Sequence, residues 1–86
     1  MTREQFIRSK ADEIKRQRKA LGLTYAEIGD AIGVSANSVR IWERGLNLMS
    51  AYADTLLRLY FKRKWAERGR QAEAEQLRAA KAEAAQ

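Results

Sequence analysis

Between Ala36 and Arg44, in the stretch ANSVRIWER, an amide, two guanidiniums and a β-branched side chain recur at a spacing that gathers them on one side of a helix. At about 100° of rotation per residue, with Val39 and Trp42 as the buried side, Asn37 and Arg44 point almost directly away from it. Arg40 and Ile41 then stand on its shoulders. The chemistry open to such a face is contact with the edges of flat bases. An amide can pair two-pronged with adenine, a guanidinium with guanine, and an exposed Ile can pack on a thymine methyl. The plain alternative is a polar helix surface with one stray Ile. The turn that precedes the helix is what favours the first reading.

That turn is written in local signals. Thr24 followed by Glu27 is a capping box, in which each side chain satisfies a backbone N–H that the first helical turn leaves unpaired. The spacing predicts a helix from Tyr25 with Ile28 and Ile32 as its buried stripe, stopped at Gly33 because glycine enters the left-handed region without steric cost. Val34 plugs the corner, Ser35 caps a second helix running to about Arg44, and Gly45 closes it. Two short helices around a tight Gly-containing turn make a helix-turn-helix, here at 24–45.

The stretch TYAEIGDAIGVSANSVRIWERG resembles the helix-turn-helix of the Cro/Xre repressor family. Ile28, Ile32, Val34, Val39 and Trp42 fall where that motif takes apolar residues, Gly29 where it takes a very small one, and Gly33 in its turn. The likeness extends from Ile14 to about Tyr60, through RKALGLT and WERG. It implies an all-α fold, a small helical bundle of the lambda-repressor-like DNA-binding kind with the motif at its centre, and double-stranded DNA as partner. On that reading Ala36, Asn37, Arg40 and Ile41 are the expected base contacts. Tyr25, Ser35, Ser38, Arg44 and Asn47 are the expected phosphate contacts. Arg18 and Glu43 stand where the family pairs an Arg with an acid at the end of the reading helix, and the pair is expected to hold the first helix against the third. Two residues depart from the pattern. Tyr25 stands where the family often has Gln. Gln17 replaces a usual Leu, so it either weakens the core or makes a polar contact. A second, looser likeness, carried by DTLLRL at 54–59, is to the DNA-binding domain of zinc-containing antitoxin-type regulators, whose zinc domain has no counterpart here.

Composition bounds the rest. The 86 residues suit one small domain, with room for a modest core but not for a buried catalytic cleft and its scaffold. Lacking Cys and His, the chain has no means for disulfides, the usual zinc sets or histidine general-base chemistry, and its acids are scattered. No enzyme activity, metal, cofactor or small-molecule ligand is therefore expected. There is no apolar run near about 18 residues and no signal-peptide pattern, so the expected location is the cytoplasm. By resemblance, that of a bacterial or phage-infected cell is implied. With no Pro and many strong helix formers, the chain should be all-helical. The net charge of +6 is unevenly placed: +4 in residues 1–22, −1 in 23–50, +4 in 51–70 and −1 in 71–86. Two basic flanks around the reading helix suit phosphate binding, which supplies affinity without sequence information.

Thr2 and Gln5 predict another capping box, opening a helix to Leu21 that ends at Gly22, with Ile7, Ala11, Ile14 and Leu21 on one face. Residues 2–10 extend the family's first helix, and Phe6 and Ile7 need cover from the last helix or from a second subunit. Ser50 caps a helix from Ala51 to about Arg68 with a core stripe of Ala53, Leu56, Leu57 and Tyr60. Phe61 and Trp65 spread to one side of that stripe and Tyr52 and Leu59 to the other, a face wider than one contact needs. This excess points to a homodimer, with Met49, Tyr52, Leu59, Phe61 and Trp65 as its expected interface. The alternative is that the first helix covers the aromatics. Leu48 and Met49 either seal the bundle or join the interface. The run Lys62, Arg63, Lys64 either reaches phosphates or is simply solvated.

Residues 1–69 are thus expected to form the DNA-binding domain, and 70–86 a polar Ala/Glu-rich helix or a disordered tail with a faint stripe of Leu77, Ala80 and Ala84. The expected function is a dimeric, sequence-specific transcriptional repressor on an inverted-repeat operator, such as its own promoter. Two other classes stay open. One is a phage or mobile-element accessory protein of DNA packaging or recombination, and the other an antitoxin or adaptor that binds a protein through the 51–68 helix.

Overall fold

Each helix starts on a hydroxyl. In the computed structural model, which describes residues 1–85, α1 spans Arg3–Leu21, α2 Tyr25–Ile32, α3 Ala36–Glu43 and α4 Ala51–Ala84. Thr2 and Thr24 accept from the backbone N–H of Gln5 (3.1 Å) and Glu27 (3.0 Å). The Gln5 and Glu27 side chains reach back to the cap N–H groups at 2.8 and 3.2 Å. Ser35 and Ser50 accept from Ser38 and Ala53, each at 3.1 Å. Such caps pair donors that a helix cannot satisfy internally and contribute about 1 kcal/mol each.

Backbone geometry is tightest between α2 and α3. Gly33 lies in the left-handed region (φ 79°), and its N–H and that of Val34 both donate to the Gly29 carbonyl, at 2.8 and 2.9 Å. Gly29 is buried beneath this turn, where an added Cβ would lie 2.5 Å from the Val34 carbonyl oxygen and 3.2 Å from the Ala36 nitrogen. Only a residue without a side chain allows so close an approach. The direction in which α3 leaves the turn follows from these two positions.

Behind the turn lies one core. Ile28 and Val39 are fully enclosed, surrounded by Ile14, Leu23, Ile32, Met49, Ala53, Leu57, Tyr60 and Phe61. Leu21, Tyr25, Val34, Trp42 and Leu56 pack on its edge. Two expectations are corrected here. Met49 and Phe61, expected at a subunit contact, are 8% and 4% exposed and belong to the core of the single chain. The reason is the placement of α1 against α4. Phe61 shares a small recess with Ile14 and Leu57 between the two helices, and Met49 one with Phe6 and Ala51.

Polar contacts fasten α1 and α4 along their length. Lys10 pairs with Asp54 at 3.4 Å, the Trp65 indole N–H donates to Gln17 Oε1 at 2.7 Å, and Arg68 donates to the Ala20 carbonyl at 2.6 Å. Gln17, the departure from the usual Leu, is therefore a tie to α4 rather than a gap in the core. The wide apolar face of α4 is divided: α1 takes Phe61 and engages Trp65, while Tyr52 and Leu59 stay 75% and 58% exposed. Leu48 and Phe6 also remain open.

The fourth helix does not end near Arg68. It continues unbroken through Gly69 to Ala84, and its 34 residues form a rod of about 51 Å that accounts for the 59 Å long axis of the molecule. Apart from a half-exposed Ala74, residues 69–85 are exposed. Their helicity rests on the propensity of Ala, Glu, Gln and Arg rather than on burial.

Candidate nucleic-acid interface

The third helix is anchored by one side chain and braced by another. Val39 is completely buried and Trp42 packs on the core edge, which turns the opposite side of α3 to solvent. At its C-terminal end Glu43 accepts from Arg18 Nε (2.7 Å, to Oε2) and Nη2 (2.9 Å, to Oε1), a two-pronged pair with side-chain exposures of 17% for the Arg and 5% for the Glu. The last turn of a helix disfavours a negative charge, so Glu43 depends on this partner. Burial by itself would push the Glu43 carboxyl up. The hydrogen bonds and charge of Arg18, helped by the Tyr25 hydroxyl and the Lys15 charge, outweigh that and hold it below its ordinary value. The Arg18 guanidinium is in turn raised by its hydrogen bonds to Glu43. Arg18 also donates to the Leu23 carbonyl (3.4 Å) and lies 4.5 Å over the Tyr25 ring, so one guanidinium joins α1, α2 and α3.

Tyr25 is thereby drawn away from its expected role. Its hydroxyl donates to Glu43 Oε1 at 3.3 Å and the residue is half-buried. The residue expected to contact phosphate thus braces the buried carboxylate in the free chain. Of the other residues expected to face DNA, Ala36, Asn37 and Arg40 are exposed along α3, with Ser35 at its cap and Arg44 just past its end. Asn47 is exposed in the following loop, where its carbonyl accepts from the Leu48 N–H at 3.0 Å and leaves its amide donors outward. Ser38 is half-buried, and its hydroxyl lies 3.0 Å from that of Ser35. Ile41 is half-buried rather than the exposed group expected on the shoulder of that face.

Arg40 and Arg44 are the cations of this surface. Among the described residues neither enters an ion pair, as is true of most Lys and Arg of the chain; Lys10, Arg18, Arg58, Arg63 and Lys64 are the ones paired. The run at 62–64 is partly neutralised in this way, since Arg63 and Lys64 both face Glu67. Reading the sequence missed one contact, that of Arg40 with Asn37: Nε and Nη2 donate to the same Asn37 Oδ1 at 3.2 and 2.6 Å. Their spacing of three on a helix was the available signal.

The buried turn and the outward polar face of α3 lie inside residues 14–60, which match a family model described as helix-turn-helix. The chain belongs to the Cro/Xre-type helix-turn-helix family. The match takes in all of α2 and α3, the second part of α1 and the first part of α4, just over half of the chain. The front of α1 and the distal rod of α4 lie outside it. No curated protein and no solved structure matches the chain. This helix-turn-helix family is one of DNA-binding regulatory domains, and the chain is a DNA-binding regulator in that general sense. Among the described residues no cluster of three or more acids could hold a metal ion, and no helix is long and apolar enough to cross a membrane.

Proposed function

We propose that this helix-turn-helix protein is a dimeric transcriptional repressor that lays α3 in the major groove of an inverted-repeat operator, its own promoter among the candidates. The observation that carries the reading is the outward face of α3, where Asn37 and Arg40 are exposed, with Arg44 exposed just past the end of the helix. Base-edge chemistry on a rigid, Val39-anchored helix is what direct readout needs. Ser35, Ser38, Arg44 and Asn47 would set the register on the phosphates, and Ala36 and Ile41 would make apolar contacts beside the polar pair Asn37 and Arg40 at the base edges. Repression would be steric. A second subunit would cover Tyr52 and Leu59, two exposed apolar side chains near the start of α4, and a two-fold pair reads half-sites about 34 Å apart.

The test is selection of bound duplexes from a randomised library near physiological salt. Enrichment of an inverted repeat with half-site centres about 10 bp apart is the expected result. Binding without enrichment and with steep salt dependence would instead indicate an accessory DNA-coating role. A chain that binds no duplex would be an adaptor working through α4.

A further inference from the structure

Asn37 and Arg40 are both exposed, yet they do not stand alone. Arg40 Nε and Nη2 donate together to the single carbonyl oxygen of Asn37, at 3.2 and 2.6 Å. A guanidinium carries five N–H donors in one rigid plane. With Nε and one Nη2 hydrogen turned to Asn37, the remaining Nη2 hydrogen and the Nη1 hydrogen beside it form an outward fork. Two parallel N–H groups of that kind are what O6 and N7 of guanine accept. Asn37 Oδ1 has two lone pairs and receives two hydrogens, so an adenine amino group finds no acceptor there while the pair holds.

We infer that Asn37 is a positioning residue for Arg40: its carbonyl fixes the guanidinium so that the free end of the fork reads one guanine, and Asn37 reads no adenine of its own. This rests on the proposed placement of α3 in the major groove. The physical gain is preorganisation. An exposed Arg normally gives up substantial rotamer freedom on contacting a base, and a side chain already held in plane gives up less. Neither residue is drawn elsewhere, since Arg40 makes no ion pair among the described residues. Both residues are exposed on α3, so substitutions at Asn37 leave the core untouched.

Two measurements test this. In the free full-length protein, the Arg40 Nε–H is expected to exchange with water more slowly than that of Arg44, and to lose that protection in Asn37→Ala. Equal exchange in the unsubstituted protein overturns the pairing. On duplexes selected from the random library, Arg40→Ala identifies the base pair that Arg40 reads. Asn37→Ala should relax discrimination at that same base pair by about tenfold or more. Asn37→Asp keeps the acceptor and removes the amide donors, so it should restore discrimination there while weakening every duplex alike. Relaxation at a different base pair, or an Asn37→Asp protein no better than Asn37→Ala, overturns the proposal. If the unsubstituted protein selects no sequence, the placement of α3 fails and the guanine reading with it. The Nε–H signal then tells that case from a pair that never forms.

Discussion

At the scale of single residues, charge partners divide the arginines by task. Arg18 is enclosed with Glu43, and removing it leaves a buried carboxylate without compensation. Arg18→Ala is therefore expected to lose about 3 kcal/mol of stability, seen as a fall in Tm of roughly 10 to 20 °C. A loss under about 1 kcal/mol, typical of exposed pairs, would mean that solvent reaches the site. Because Glu43 is held below its ordinary value in the folded chain, its contribution is complete above the unfolded glutamate value of about 4.3 and disappears as pH falls through the lower folded value. The Tm gap between the unsubstituted protein and Glu43→Gln should thus be wide at pH 7 and narrow toward pH 3. Among the described residues Arg44 enters no ion pair. Arg44→Ala is expected to weaken binding to all duplexes alike and to flatten the slope of log K against log salt by about 1. An unchanged slope would remove Arg44 from the phosphate contacts.

At the scale of elements, two glycines give opposite signs. Gly29 lies under the α2–α3 turn with the Val34 carbonyl 2.5 Å from where a Cβ would stand, and backbone cannot easily yield. Gly29→Ala should cost about 1 to 3 kcal/mol and tilt α3, so thermal stability and duplex selectivity should fall together. Gly69 lies in the exposed part of α4, where nothing lies within 4 Å of an added Cβ. Gly69→Ala should stabilise the distal rod locally by roughly 0.5 to 1 kcal/mol, read as slower amide exchange over residues 70–84 with little change in Tm. Much of this was legible beforehand. The caps at Thr2, Thr24, Ser35 and Ser50 and the stops at Gly22, Gly33 and Gly45 depend on neighbours within a few residues. The end of α4 was misjudged at Arg68, because loss of apolar patterning does not stop a helix that propensity still favours.

At the scale of the whole molecule, the face of α4 left open by α1 decides what assembly is available. Tyr52 and Leu59, which share one side of the helix, are exposed apolar groups there, and a second copy is the proposed cover. Leu59→Glu should give a folded monomer by sedimentation. Its affinity for a two-half-site operator should fall on the order of 100-fold, because the second contact is no longer intramolecular. A dimer that survives the substitution would place the interface elsewhere.

The sequence by itself carried the family through the resemblance of its 24–45 motif, and the helix starts, the Gly29 and Gly33 turn and the exposure of Asn37 and Arg40 through residue types at helical spacings. Only the tertiary structure decided which apolar and polar groups were already engaged. Phe61 and Met49 are enclosed, Trp65 is tied to Gln17 and the Tyr25 hydroxyl is committed to Glu43. The partners in the two hydrogen bonds lie 48 and 18 residues apart. A helical pattern states which side of a helix is apolar, whereas the crossing of α1 and α4 determines how far along that side the cover extends.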